Sequence, residues 1–311
     1  MNYTFHQLQI FLRISRLKSI TKAAEDLHLT QPAVSIQLKN FQDQFPIPLT
    51  EVTGRKLYIT DFGKEIAKTA EAIIEKANDI NYKTLAYQGK LAGQLKITVA
   101  STGKYVMPYF LSDFLRENDG VELAMDVTNK TKVVRSMEAN EVDFALVSVF
   151  PKKLKINNVP LMTNSLYLVG SDQFEFDSSL SKREIFENHP LIYRENGSAT
   201  RYAMENFIAK NKFSVRKKME LTSNEAVKQA VIAGLGFSIM PLIGIKNTLK
   251  NKSLQIIPVK GLPLQTTWNL VWLKSKKLSP VATAYLDYVE KRKEAIISKH
   301  FSWIKEFDSK N

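Results

Sequence analysis

"LTQPAVSIQLKNF", residues Leu29 to Phe41, is the stretch on which the reading of this chain turns. Thr30 is placed to cap a helix, and Pro32 falls in its first turn, where a missing N–H costs nothing. At about 100° per residue, Val34, Leu38 and Phe41 share one narrow arc, with Pro32, Ser35, Ile36 and Lys39 roughly opposite. The outward face is thus polar but mostly uncharged, with an isoleucine at its centre. Upstream, "FHQLQIFLRIS" has apolar residues at helical spacing. "SITKAAEDL" is a second short helix, capped by Ser19, with Ala23, Ala24 and Leu27 inward. His28-Leu29-Thr30 makes a tight connection. Two short helices so joined form a helix-turn-helix, whose second helix enters the DNA major groove. There Ser35 can donate or accept, Lys39 can reach phosphate or guanine, and Ile36 can meet a thymine methyl.

Working outward, "PLTEVTGRKLYIT" alternates and breaks at Gly54, which predicts a two-stranded ribbon with Gly54-Arg55-Lys56 at its tip. Arg55 and Lys56 could there reach backbone phosphates or the minor groove; the lesser alternative for them and for Lys39 is a merely solubilising surface charge. From Asp61 to Tyr87 one long helix follows. Ile66, Ile73, Ile80 and Tyr87 recur every seven residues, and Ala70, Ala77 and Thr84 make a second heptad row. That is a coiled-coil seam about 39 Å long with one small-residue row, so it predicts a dimer rather than a lone amphipathic helix. "QGKLAG" then reads as a linker. Beyond it strands ("LKITVA", "VELAMDVT", "FALVSVF", "SLYLVGS", "PLIYR", "RKKMELT", "FSIMP", "TTWNLVWLK") are interspersed with helices, the last running from Ser279 to His300. Such alternation over some 200 residues predicts an α/β fold of two lobes sharing a cleft.

The bulk numbers agree. A chain of 311 residues holds two or three domains. Zero cysteines excludes disulfides and thiolate chemistry, and with no signal peptide at "MNYTFHQLQIF" the expected compartment is the cytoplasm. The most apolar stretch, "AVIAGLGFSIMPLIGI", is broken by Pro241 and three glycines. It reads as helix end, turn and strand, and no membrane partner is expected. Of the formal charge of +13, residues 1–93 carry only +3, so charge alone would not mark a nucleic-acid binder.

The run "S-x-T-x-A-A-x-x-L-x-x-T-Q-P-A-V-S" with the trailing "PL-x-E-x-TGR-x-x-x-x-T-x-x-G" resembles the winged helix-turn-helix of LysR-type transcriptional regulators. The linker helix and two-lobed effector domain match that layout over nearly the whole chain. The resemblance implies residues 1–60 as the DNA-binding domain, 61–88 as linker and dimerisation helix, and 89–93 as hinge. It implies 94–300 as a periplasmic-binding-protein-like effector domain (lobe I about 94–164 and 269–300, lobe II about 165–268) and 301–311 as a tail. Implied partners are double-stranded promoter DNA, a second copy in a homodimer or dimer of dimers, RNA polymerase and a small metabolite. The expected DNA-facing set is Thr30, Gln31, Pro32, Ser35, Ile36, Gln37 and Lys39 with Arg55 and Lys56; the expected seam is Ile66, Ala70, Ile73, Ala77 and Ile80. Ile36 stands where the family usually has a basic residue, and Leu49-Thr50-Glu51-Val52 where it favours Phe and Arg.

In open α/β sheets ligands sit where strand ends meet helix N-termini. "TVASTGKY" delivers Ser101 and Thr102 to such a place, "DVTNK" Thr128 and Asn129, and "LVSV" Ser148. "YRENGSATR" adds Arg194, Ser198, Thr200 and Arg201, and "LTSNEAV" adds Ser223 and Asn224. Two arginines and hydroxyl-capped helix ends suit a phosphate or carboxylate, although the same Ser, Thr and Asn residues are ordinary N-caps. The "RE-x-GS-x-TR" pattern resembles regulators near the Calvin-cycle branch of the family, which answer to phosphorylated metabolites. "GLGFSI" lacks a third glycine for a dinucleotide site. His6, His28, His189 and His300 are scattered without metal spacing. No cofactor is expected. The alternatives, a solute-binding ligand sensor or an enzyme on a phosphorylated metabolite, leave residues 1–60 without a use or need a base or metal the sequence does not offer.

Overall fold

Thr4 starts the chain's first helix by accepting from the Gln7 backbone while its own N–H bonds to the Gln7 side chain, a reciprocal cap. In the computed structural model, which describes residues 2–309 apart from Arg55, Lys152, Ser178, Arg216 and Lys217, that helix is α1 (Phe5–Leu17). It is followed by α2 (Ile20–Asp26), α3 (Gln31–Gln42), a ribbon of β1 (Thr50–Thr53) and β2 (Lys56–Ile59), and α4 (Asp61–Tyr87). Ser19 and Thr30 cap α2 and α3, and His28 turns the chain between them at φ +53°. Val34, Leu38 and Phe41 are buried with Phe11 and Ile14, and Phe41 lies 5.2 Å from Phe11, ring to ring.

The wing is joined to this core at two points. Gln42, ending α3, accepts from both the N–H (3.1 Å) and the hydroxyl (2.8 Å) of Thr50. Thr60 donates to the Pro48 carbonyl (2.7 Å) and accepts from the Gly63 N–H (2.9 Å), so it caps α4 while holding the entry to the wing. Gly63 is required there: a Cβ would stand 2.1 Å from the Leu49 carbonyl oxygen.

The chain forms two compact units, residues 1–90 and 91–311. The second unit contains β3 (Ala92–Ala100), a 3-10 turn (Ser101–Tyr105), α5 (Met107–Glu117), β4 (Gly120–Thr128), α6 (Lys130–Glu138), β5 (Phe144–Val147) and β6 (Ile156–Ser171). Then come α7 (Lys182–Asn188), β7 (Leu191–Arg194), α8 (Ala199–Asn211), β8 (Lys218–Leu221) and α9 (Asn224–Ile232). The chain closes with β9 (Ser238–Pro241), α10 (Leu242–Lys250), β10 (Leu254–Ile256), β11 (Leu264–Leu273) and α11 (Pro280–Asp308). The main sheet runs β10-β6-β11-β5-β3-β4, with β3 parallel to β4 and β5. β6 pairs with β11 along its first half and with β9 and β10 along its second, so this one strand belongs to both lobes. β7 and β8 form a small parallel pair. One core gathers Val99, Phe110, Phe144, Trp268 and Tyr285; another gathers Phe186, Leu191, Phe207 and Phe237 in the second lobe.

Two differences from the sequence reading stand out. β6 begins at Ile156 rather than near Ser165, and α7, α10 and β10 are additional elements. Residues 301–308, expected as tail, continue α11. Phe301 and Ile304 are buried, Trp303 lies under Lys246, and the Asp308 carboxylate accepts from Ser165 Oγ (2.5 Å) and Tyr167 Oη (2.7 Å). Burial, reinforced by the Asp308 hydrogen bond and charge, raises the Tyr167 pKa, so the phenol stays the donor. Both partners lie on β6, so the helix end is fixed to the strand the two lobes share.

Gly63→Ala should destabilise the first unit by about 2–3 kcal/mol, since the clash is with backbone. Hydrogen exchange of amides in residues 1–60 measures this, because the three tryptophans (Trp268, Trp272 and Trp303) all lie in the other unit. Tyr167→Phe removes a charge-assisted hydrogen bond and should lower the second unit's stability by about 1.5–3 kcal/mol in denaturant titrations followed by tryptophan fluorescence.

Candidate functional site

The outward face of α3 follows from what its inward face must do. With Val34, Leu38 and Phe41 committed to the core, Gln31, Pro32, Ile36 and Lys39 are exposed and Ser35 and Gln37 half-buried. Ile36 is 58% exposed. Thr30 is exposed and spends its hydroxyl on the Ala33 N–H at 3.4 Å. Lys56 is exposed at the ribbon tip, which turns at Gly54 with φ +54°. Arg55 lies outside the described residues.

The α4 seam does not run as one continuous stripe. Ala70 is buried at 1% and Ile66 is packed against the same core, because α1 lies along the first half of α4. That half of the expected seam is therefore used within the chain. Ile73 (39% exposed) and Ile80 (66%) are left open, with Ala77 half-buried.

In the second unit the expected effector residues fall into two groups. Ser101 follows the end of β3, Arg194 ends β7 and Asn224 opens α9, so three chain segments meet. Ser101 Oγ accepts from Arg194 Nη1 and from Asn224 Nδ2, both at 3.1 Å. Arg194 is 4% exposed, and its Nε and Nη2 donate to the two carboxylate oxygens of Glu195 at 2.8 and 3.0 Å. Thr102 is buried beside Ser101. The second group borders a groove of about 350 Å³ between α6 and the segment from Asn196 to Glu205. Lys130, Thr131, Arg135, Ser198 and Arg201 line it, with Lys130 over the Tyr202 ring at 5.0 Å.

Arg201 does not join Arg194 in one cradle, as the sequence led us to expect. Its Nε donates to Glu205 (2.8 Å), and its Nη1 donates to Glu220 (2.5 Å) and the Arg194 carbonyl (3.1 Å). Two carboxylates on its own side of the lobe take this charge. Asn129, Ser198 and Ser223 cap α6, α8 and α9. Thr128 ends β4 half-buried, Ser148 follows β5 half-buried, and Thr200 is buried in the first turn of α8. None of these three joins the Ser101 group through a described hydrogen bond.

Sequence reasoning missed Glu195 and the turn that places it. Strand neighbours point to opposite faces, so an Arg-Glu pair at a strand end gives no sign of bidentate contact. The chain leaves β7 at Arg194, and the Ser198 N–H closes back on the Glu195 carbonyl at 3.2 Å. Gly197 adopts φ +88°, and a Cβ there would stand 2.4 Å from Thr131 Oγ1 on α6. The glycine in "RE-x-GS" was the available signal.

A winged helix-turn-helix with an open reading face, and a two-lobed α/β unit with a buried arginine between strand ends, define a class: DNA-binding regulators carrying a small-molecule domain. The chain belongs to the LysR family of bacterial transcriptional regulators. "Bacterial regulatory helix-turn-helix protein, lysR family" matches residues 5–64, and "LysR substrate binding domain" matches residues 88–294. The transcriptional activator CmpR of Synechocystis sp. is 36% identical over 297 residues, covering 95% of this chain and 97% of that protein. The RuBisCO operon transcriptional regulator of Allochromatium vinosum is 34% identical, over 93% and 96%. Among solved structures, the CcmR regulatory domain of Synechocystis PCC6803 in complex with 2-PG has a TM-score of 0.60 at 28% identity, covering 68% of this chain and 98% of that one. Full-length CbnR complexed with its target DNA has a TM-score of 0.70 at 18% identity, covering 93% and 99%, a likeness of fold. The family is one of regulators, which displaces the enzyme and solute-binding alternatives. Among the described residues, no helix is long and apolar enough to cross a membrane.

Ile36→Arg should keep the fold, because the side chain is exposed, yet change operator preference. A binding-site selection on both proteins measures it; identical selected sequences would make Ile36 a bystander.

Proposed function

We propose that this regulator's binding to promoter DNA is modulated by a small anionic metabolite, phosphorylated or carboxylate, held between the effector lobes by Ser101, Arg194 and Asn224. The observation that carries the reading is the meeting of three chain segments, Arg194 and Asn224 both donating to the Ser101 hydroxyl oxygen. A buried guanidinium beside two neutral hydrogen-bonding side chains, and already holding the Glu195 carboxylate, suits an anion better than any other ligand class. The 2-PG complex of the CcmR domain, at 28% identity, supports the same chemistry.

On the DNA side, Gln31, Ser35, Ile36, Gln37 and Lys39 face base edges and backbone, Thr30 and Pro32 set the start of the reading helix, and Lys56 with Arg55 meets phosphates on the wing. Ile73, Ala77 and Ile80 bury against a second copy to make the dimer; two dimers then share one operator and meet RNA polymerase. Ligand binding shifts the lobes and hence the spacing or bend the dimer imposes on DNA.

Gel shifts with the chain's own upstream region should show binding that weakens steeply with salt, and Lys39→Ala should reduce the slope of log K against log salt by about 1. No shift at low salt with any promoter fragment would refute the DNA reading. Thermal shift with 2-PG, inorganic phosphate and simple carboxylates should raise Tm, and Arg194→Ala should abolish the rise. A variant that responds as the wild type does would remove Arg194 from the site.

A further inference from the structure

We propose that Glu195 is a built-in competitor for the effector's anionic group: its carboxylate occupies the place on Arg194 that the effector must take. This deepens the effector-site reading above and rests on it.

A guanidinium that is 4% exposed has to be neutralised inside the protein. Here the counter-ion is its immediate chain neighbour, bound through both oxygens in a fork-to-fork pair. The two other groups at the site, Ser101 and Asn224, carry no charge. Ser101 accepts twice, leaving its own O–H free to donate to a third group. The site is therefore a complete anion receptor whose anion comes from the chain itself.

Glu195 is suited to leaving. Its side chain is 15% exposed against 4% for Arg194, so it stands at the margin of the cluster with water within reach. It also lies beyond the last residue of β7, in a turn rather than a strand. An external anion need only swing this side chain outward, while Arg194 stays fixed by its strand. Because the competitor is tethered, its effective concentration is high, and only ligands that bind Arg194 better than a carboxylate does will displace it. A phosphate dianion brings more charge and more acceptor oxygens than a single carboxylate. The exchange thus raises the threshold equally for every ligand that must displace Glu195, and a phosphate dianion clears it at lower concentration than a plain carboxylate does. Displacement also reaches beyond the site, since the same turn holds Gly197 against Thr131 of α6.

Isothermal titration of the full-length protein with inorganic phosphate, 2-PG and acetate, comparing wild type, Glu195→Gln and Arg194→Ala, tests this. Glu195→Gln should bind phosphate at least tenfold more tightly than wild type and should tighten acetate by a similar factor; Arg194→Ala should lose both ligands. Should Glu195→Gln fail to fold, Glu195→Asp, one methylene shorter, should tighten phosphate binding to a smaller degree. If Arg194→Ala abolishes binding while neither Glu195 variant tightens it, the competitor role is overturned and the effector site stands. If wild type and Arg194→Ala bind alike, both readings are overturned.

Discussion

The effector unit is organised around the neutralisation of one buried charge. Arg194 sits at the end of a short strand with almost no access to water, and every polar group near it is arranged accordingly. Glu195 folds back to supply the counter-charge, Ser101 comes from the end of β3, and Asn224 is presented by the start of α9. Even Arg201 is used on the backbone side, donating to the Arg194 carbonyl. Breaking such a pair by removing one partner typically costs about 3–5 kcal/mol, because it leaves a buried charge uncompensated.

The first unit solves a different problem with the same economy of surface. A helix of twelve residues has room for one buried stripe, and in α3 that stripe is Val34, Leu38 and Phe41. Gln31, Pro32, Ile36 and Lys39 are left exposed on its other side. The wing is held to α3 at Thr50, whose hydroxyl and N–H both bond to Gln42. Leu49 beside it is fully buried. The wing is thus tied to α3 by hydrogen bonds and an aliphatic anchor.

Much of this was legible in the sequence because local chemistry and tertiary need coincided. Ser19, Thr30 and Ser198 each cap the helix that their position predicts, and the three-residue arc of α3 is the arc that packs. Where tertiary context decided, the sequence was silent. β6 was read as half its length because "INNVPLMTN" carries asparagines and Pro160, weak strand formers; pairing with β11 along its first half overrides them. The division of arginines was invisible for a similar reason. Nothing in "YRENGSATR" shows that Glu205 and Glu220, from α8 and β8, take Arg201 while Glu195 takes Arg194. The heptads of α4 were real, but spacing cannot tell whether a stripe meets another helix of its own chain or of a second one.

That last ambiguity divides α4 into two working halves. Up to Ala70 the stripe is covered by α1, and Arg16 of α1 pairs with Glu71 at the limit of the covered part. Beyond it Ile73 and Ile80 stand open one heptad apart with half-buried Ala77 between them. An isolated helix gains little from exposed isoleucines, which are poorer helix formers than Leu or Ala. Their placement makes sense if a second copy covers them, and the small residue between allows the two backbones to approach. The covered half then fixes the helix to its own DNA-binding unit. A rotation or shift imposed on the open half by a partner would be carried through a continuous helix into the reading head, with Gly63 and Thr60 at the rigid joint where α4 meets the wing.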